Sequence, residues 1–369
     1  MEIDTTCLAE PPPAVAGGIV SRNPATLEEL GRVPILSEME VRAALLRART
    51  AQPAWAALTF KERARIILRV RDLMVARQDS VARLISQEAG KPEIEALTSE
   101  VFPVANLMDY FARHSRKMLK PEQFSLSVFR NKKSRIQYAP FGVIGVISPW
   151  NYPLAIPMGH IVMALMAGNA VLLKPSELTS LTGLQIGKLF SDAGLPENLL
   201  QVLTGDGTTG AALAESKIDK LFFTGSGYTG RKLAESAARR FLPVVLELGG
   251  KDAMIICADA NLERSINGAL WGAFNNCGQA CASVERVYVV DAIAGPFIEG
   301  VVSKTKTLRV GFPATGNVEI GPLNNARQLE IVAAHVEDAV ARGAKVLTGG
   351  RRMESLPGYF YEPTVLVNV

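Results

Sequence analysis

The chain has 369 residues, 48% hydrophobic and 21% charged, a globular composition long enough for two domains that excludes disorder, collagen or coiled coil as a description of the whole. Lys and Arg total 40 against 36 for Asp and Glu, leaving a net charge of +4 and no long run of like charge, which argues against a nucleic-acid partner. Four cysteines, Cys7, Cys257, Cys277 and Cys281, cannot form a secreted disulfide framework in a chain this large. Residues 1 to 15 have neither the basic nor the apolar region of a signal peptide, so the expected location is a reducing cytoplasm.

In chain order, residues 1–20 read as a loose tail rich in Pro, Ala and Gly. Between Lys61 and Gln87 apolar residues recur at Ile66, Ile67, Val70, Leu73, Met74, Val81 and Leu84, which is helical spacing, and Gly90 and Pro92 stand where such a helix stops. From Phe124 to Tyr138 the pattern alternates around a polar turn at Asn131-Lys132-Lys133, predicting two short strands that form an arm. The stretch Ile136 to Leu173 has no Asp, Glu, Lys or Arg, yet Pro149, Asn151, Pro153, Pro157, His160, Gly168 and Asn169 divide it into strand, helix and strand rather than a membrane span.

Strands are predicted at 142–148, 170–174, 199–203, 219–223 and 243–247, with helices at 154–168, 178–193, 207–215 and 229–240. This alternation predicts an α/β fold with a doubly wound parallel sheet. After residue 250 it restarts, with strands at 253–257 and 285–290 and helices at 262–276, 292–307 and 325–342, which reads as a second α/β domain.

Five short segments carry side chains suited to chemistry. Gly225-Ser226-Gly227-Tyr228-Thr229-Gly230 follows an apolar strand and opens a helix, so its backbone can approach a phosphate, although a tight turn without ligand is the plain alternative. Cys281, in Gly278-Gln279-Ala280-Cys281, offers a thiol without an adjacent base in sequence, and alone it reads as an inert cysteine; Cys277 lies four residues earlier and could share a helix face with it. Glu247 ends a predicted strand, where burial would suit a general base and a surface strand-end charge is the equal alternative. Asn151, in Pro149-Trp150-Asn151-Tyr152-Pro153, offers an amide donor past a strand end. Lys174-Pro175-Ser176-Glu177 offers a lysine and a carboxylate for ribose hydroxyls, or a solvated helix start capped by Ser176. His114, His160 and His335 read as structural.

The order of these segments, together with Phe223-Thr224-Gly225-Ser226, Leu246-Glu247-Leu248-Gly249-Gly250-Lys251, Glu88-Ala89-Gly90-Lys91-Pro92 and Glu285-Arg286-Val287, resembles the aldehyde dehydrogenase superfamily from about Arg22 to the last residue. The resemblance implies that Cys281 is the nucleophile, that Asn151 and the Cys281 backbone N–H hold the oxyanion, and that Glu247 activates water. It implies a cofactor set of Trp150, Lys174, Ser176, Glu177, Gly225, Ser226 and Gly230, with NAD expected, NADP also open, and no metal. It further implies a dinucleotide-binding domain over 21–123 and 140–248, an oligomerisation arm over 124–139, a catalytic domain over 249–369, and a homodimer or homotetramer. Against the family pattern, Asp252-Ala253 replaces a Ser-Pro or Asn-Pro pair. The chain also stops short of a Glu-x-Phe-Gly-Pro motif and a last strand, so it is expected to be truncated at its C-terminus. The expected reaction is oxidation of an aldehyde to a carboxylic acid. The alternatives are an inactive truncated family member, a CoA-acylating relative and a cofactor-free thiol esterase.

Overall fold

A computed structural model describes residues 18–128 and 131–369. The expected tail lies mostly outside these residues, and Ile19 and Val20 already belong to strand β1 (Ile19–Arg22), which pairs antiparallel with β2 (Glu29–Val33). Three helices follow: α1 (Glu38–Ala57), α2 (Phe60–Ala76) and α3 (Gln78–Ala89). Ser37 and Thr59 start α1 and α2 with reciprocal capping boxes to Glu40 and Glu62, each satisfying backbone N–H groups that the first turn leaves unpaired. The helical region expected from Lys61 to Gln87 is therefore two helices, broken where Arg77 leaves helical geometry. Gly90 caps α3 at φ +82°, a left-handed conformation suited to glycine, as its position after the helical pattern implies.

A helical run that the sequence reading did not anticipate occupies the next segment: α4 (Glu93–Ala96), a π-turn (Leu97–Val101) and α5 (Phe102–Met118). Pro103 accounts for the widened turn, because it has no N–H to give and its ring would crowd the carbonyl four residues back. Strands β3 (Glu122–Phe124) and β4 (Ser134–Ile136) form the antiparallel arm; residues 129 and 130 between them lie outside the described residues.

The parallel sheet then forms from β5 (Val143–Ile147), β6 (Ala170–Lys174), β7 (Leu200–Val202), β8 (Lys220–Gly225) and β9 (Val244–Leu248) in the order β7-β6-β5-β8-β9. Its crossover helices are α6 (Ala155–Met166), α7 (Ser180–Asp192), α8 (Gly207–Glu215) and α9 (Gly227–Ala238). The doubly wound expectation holds, with boundaries within two residues of the predicted ones; at the start of α7 a short 3₁₀ turn (Glu177–Thr179) precedes the helix. Helix α9 starts at Gly227 rather than 229 because Ser226 caps it, accepting from the Thr229 N–H at 3.2 Å. None of the helices among the described residues is long and apolar enough to cross a membrane.

Strands β5 and β6 are buried on both faces and pack with α1, α2, α5 and α6 into one large core. Glu88 ties its periphery together. Its fully buried carboxylate accepts from Ser21 Oγ, the Leu181 and Thr182 N–H groups, and Thr182 Oγ1, at 2.7–3.0 Å. Beyond β9, β10 (Asp252–Ile256) and β11 (Val284–Val289) form a parallel pair covered by α10 (Leu262–Phe274) and α11 (Asp291–Thr305). Helix α12 (Ala326–Ala341) and the antiparallel pair β12 (Lys345–Thr348) and β13 (Val365–Val367) end the chain around a third cluster.

Trp55 of α1 is a sensitive point of the large core: its ring is buried and its Nε1–H donates to the Leu165 carbonyl of α6 at 2.8 Å. Trp55→Ala is expected to lower unfolding free energy by about 3–5 kcal/mol, measured by urea denaturation, with the slope of the transition unchanged.

Candidate active site

Right-handed crossovers leave β5 in one direction towards β6 and β7, and in the other towards β8 and β9, so the sheet switches direction between β5 and β8. In open sheets of this kind the carboxyl ends of the strands leave a crevice at such a point, and most of the sequence-predicted residues stand at those strand ends. Ser148 to Asn151 follow β5, Lys174 ends β6, Gly225 ends β8, and Glu247 lies one residue from the end of β9. The Ser148 N–H donates to the Lys174 carbonyl at 3.1 Å, fixing the start of the loop that carries Trp150 and Asn151.

Asn151 is half-buried, and its Nδ2 donates to the Gln279 carbonyl at 2.9 Å, two residues before Cys281. The Asn276 side-chain amide donates to both the Asn151 carbonyl, at 2.9 Å, and the Gln279 carbonyl, at 3.2 Å. The β5 loop and the segment 276–281 are thus joined by two hydrogen bonds, and the third ties the segment to itself. Cys281 itself is exposed, and neither its thiol nor its backbone N–H has a hydrogen-bond partner among the described residues. It is close enough to Tyr152 for its charge to contribute to the rise of that phenol to about 12, a shift caused mainly by burial and by the charges of Glu95 and Glu100.

Cys277 differs from Cys281 in every respect. It stands at φ +57° in a left-handed segment and does not share a helix face with Cys281, contrary to the sequence expectation. Its Sγ donates to the Gly321 carbonyl at 3.2 Å, and burial, together with the Glu95 charge, pushes its thiol well up and keeps it protonated. Both features remove it as a nucleophile.

Glu247 takes the surface position that was left open for it. Its carboxylate is exposed, not buried, because β9 is the edge strand of the sheet and the residue sits near the strand's open end. Its direction follows from register. Glu247 pairs with Thr224 of β8, and paired residues of parallel strands project to the same face. Thr224 Oγ1 lies 3.5 Å from His160 Nε2, and Phe222, two residues earlier, stacks on the His160 ring at 4.7 Å. His160 belongs to α6, so Glu247 faces the α6 side of the sheet, the side on which Asn151 leads into that helix. Burial pushes His160 down to about 4, so the ring is neutral at physiological pH, in keeping with a structural histidine.

The cofactor candidates divide between two strand ends. Lys174 is buried and pairs with the half-exposed Glu177 at 3.0 Å, so the two side chains expected to meet a ribose meet each other. Ser176 is buried and its Oγ accepts from the Leu178 N–H at 3.3 Å, the capping role that was the plain alternative for it. Gly225, Ser226 and Gly230 form the turn into α9, a twelve-residue helix whose positive end faces the crevice and favours an anion. At Gly230 a Cβ would lie 2.6 Å from the Leu248 side chain, so its bare backbone lets helix and β9 pack closely. Two polar atoms beside the crevice, Ser148 Oγ and Asn151 Oδ1, are buried without partners, and Trp150 lies half-buried between them in sequence. Unpaired buried acceptors beside a helix N-terminus fit a polar dinucleotide.

Three residues under the site escaped the search for chemistry. Lys91 and Glu100 form a fully buried ion pair at 2.7 Å, and Lys91 Nζ also donates to the Asn151 carbonyl at 2.7 Å. The other Glu100 oxygen accepts from the Leu154 and Ala155 N–H groups at the start of α6. Glu95 accepts from the Asn276 N–H at 3.0 Å, and burial pushes its carboxyl up to about 7. The signal was four charges, Lys91, Glu93, Glu95 and Glu100, within ten residues. In a regular α-helix, however, Glu95 and Glu100 would point about 140° apart. Only the π-turn brings both inward.

Residues 14–369 match the model of the aldehyde dehydrogenase family. Among curated proteins, a 4,4'-diapolycopene aldehyde oxidase from Methylomonas sp is 40% identical over 318 residues, 86% of this chain and 60% of that protein. Among solved structures, an E. coli NADP dependent enzyme is 35% identical with a TM-score of 0.94, covering 100% of this chain and 78% of its own. An NAD+ complex of aldehyde dehydrogenase from Bacillus cereus is 34% identical with a TM-score of 0.92, over 95% of this chain and 72% of its own. The chain spans 60% to 69% of the length of these and similar curated relatives.

The contrast between the two thiols is directly measurable. Brief treatment of the folded protein with iodoacetamide at mildly alkaline pH is expected to alkylate Cys281 and the exposed Cys257 and to leave Cys277 unmodified, as read by peptide mass spectrometry.

Proposed function

Because the chain belongs to the aldehyde dehydrogenase family, we propose that it oxidises an aldehyde to a carboxylic acid with NAD(P)+, using Cys281, Asn151 and Glu247. The observation that carries the reading is the Asn151 amide, which donates to the Gln279 carbonyl and so ties the β5 loop to the segment that carries an exposed thiol two residues further on. The Cys281 thiolate attacks the carbonyl carbon, forming a carbon–sulfur bond and shifting charge to oxygen. The free hydrogen of the Asn151 amide and the unpaired Cys281 N–H are the donors for that oxyanion, each such donor contributing about 3 kcal/mol to lowering the barrier. A nicotinamide cofactor held by the residues named below would supply the hydride acceptor for this carbon. Cys281 then carries a thioester. Glu247 removes a proton from a water molecule, the water oxygen bonds to the acyl carbon, and the thiolate leaves with the carboxylic acid released.

The residues that would hold the dinucleotide are Lys174 and Glu177 at its ribose, the Gly225-Ser226 turn and Gly230 at its pyrophosphate, and Trp150 and Ser176 beside them. A carboxylate at position 177 repels a 2′-phosphate and favours NAD. Its pairing with Lys174 weakens that repulsion, which keeps NADP within the reading. The exposed Glu247 favours hydrolysis over acyl transfer to CoA, since transfer to a thiol has no need of a water-activating carboxylate. A cytoplasmic homodimer or homotetramer, with the β3–β4 arm as one contact, belongs to the same proposal.

The test is to mix the protein with NAD+ or NADP+ and a panel of semialdehydes, aliphatic aldehydes and aromatic aldehydes, and to follow formation of reduced cofactor. Acid production without CoA is expected. A folded protein that binds cofactor and reduces none of it with any aldehyde overturns the reading. Cys281→Ala is expected to lower turnover about 10⁴-fold or more. Glu247→Gln is expected to give one equivalent of reduced cofactor in a burst and then stall.

A further inference from the structure

Three consecutive residues, Asn276, Cys277 and Gly278, stand at φ +51°, +57° and +73°, a left-handed path that Asn and Gly tolerate as single residues and that the Cys277 side chain disfavours. This path turns the chain from α10 back towards the crevice and sets the direction in which Gln279 and Cys281 leave it. Something must hold it against relaxation. On one side Asn276 and Gln279 hold each other, with the Gln279 N–H and Nε2 both donating to the Asn276 carbonyl at 3.0 Å. On the other, the only contact made to the Asn276 N–H among the described residues comes from Glu95, on a different element of the fold.

We propose that Glu95 is a positioning residue for the Cys281 loop: by holding the Asn276 N–H it fixes the left-handed turn at 276–278, and through that turn keeps the Gln279 carbonyl against the Asn151 amide. The inference rests on the reading of Cys281 as nucleophile. Glu95 touches no reacting atom; it acts through Asn276.

The charged neighbours of Glu95 give this contact a dependence on pH. Lys91 favours the carboxylate, while Tyr152 and Cys277 are near enough, from the β5 loop and the turn itself, to feel the Glu95 charge. Glu93 of the same helix is occupied by Arg83 of α3 at 3.6 Å. Burial dominates and brings ionisation to about 7, so the anionic acceptor is present above that pH and is replaced by the weaker neutral one below it.

The experiment compares Glu95→Gln, which keeps an acceptor and loses the charge, with Glu95→Ala, which loses both. Cys281 alkylation by iodoacetamide is followed across pH by peptide mass spectrometry, with the exposed Cys257 as internal reference, and turnover is followed beside it. In the Ala variant kcat is expected to fall about 10–100-fold with the KM for NAD+ within about twofold. Its Cys281 alkylation rate is expected to change relative to Cys257. The Gln variant should recover most of the turnover, and the inflection near pH 7 in the Cys281 profile of the parent chain should vanish. Alkylation and turnover of the Ala variant equal to the parent, or a Gln variant as impaired as Ala, overturns the proposal. Should Glu95→Ala fail to fold, the Gln profile decides alone: an inflection that persists overturns it. Absence of turnover in the parent chain would count against the dehydrogenase reading, whereas the alkylation profiles report on the turn irrespective of activity.

Discussion

The arrangement of the crevice depends on two opposite charges placed where water cannot reach them. A lysine and a glutamate without solvent cost several kcal/mol each in lost hydration, and their attraction compensates only when the remaining donors and acceptors are also matched. Lys91 and Glu100 meet that condition. The ammonium spends one donor on Glu100 and one on the Asn151 carbonyl, and lies 4.0 Å from the centre of the Tyr152 ring. The carboxylate's second oxygen takes two N–H groups at the start of α6, where a helix favours negative charge. The pair therefore dictates the course of residues 151–155, and with it the place of the Asn151 amide. Such a pair adds specification of one geometry more than it adds net stability.

From that fixed point the second loop follows. Asn151 receives the Asn276 amide on its carbonyl and gives its own amide to Gln279, so segment 276–281 is held by a loop that is itself held by Lys91. Gly321 braces the far side: a Cβ there would meet the Gly90 carbonyl at 1.9 Å, so the backbone beneath Cys277 packs directly against the end of α3. Contributions from α3, the π-turn, the β5 loop and the segment before α12 thus converge on one thiol. The ionisation of Glu95 has the opposite sign to a stabilising carboxylate. Its folded value lies above its unfolded one, so its contribution to stability is full below about pH 4.5 and is lost as pH rises through about 7. The anion that fits the Asn276 N–H best is held at some expense to the fold, a pattern more common at functional sites than in scaffolds.

Much of this was legible in the sequence where local pattern decides structure. The continuous apolar strands at 143–147 and 170–174, the turn residues between them and the capping serine at 226 specify the parallel sheet and the positive helix end almost to the residue. Cys281, Asn151 and Glu247 could be singled out because each belongs to a short segment next to a strand end, and their order resembles a family. What escaped depends on contacts distant in sequence or on departures from regular geometry. The strand end left Glu247 open between a buried base and a surface charge, because edge position is set by sheet order, which no single strand reveals. Lys91 is 60 residues from the carbonyl it holds, and Glu95 is 181 from its partner. Glu100 points inward only because Pro103 widens the turn before it. The helix face that Cys277 and Cys281 could have shared is destroyed by a left-handed run in which Asn276 and Gly278 tolerate the conformation and Cys277 does not announce it.

The dependence of the crevice on the buried pair is tested most directly by a double-mutant cycle on stability, with Lys91→Met, Glu100→Met and the two combined, measured by chemical denaturation. Each single change leaves one buried charge without its partner and is predicted to cost about 3–5 kcal/mol. The double change removes both charges and is predicted to cost less than the sum of the singles by at least about 2 kcal/mol. Single costs that add to within about 0.5 kcal/mol would mean that the two side chains do not act as a unit, and would contradict the account.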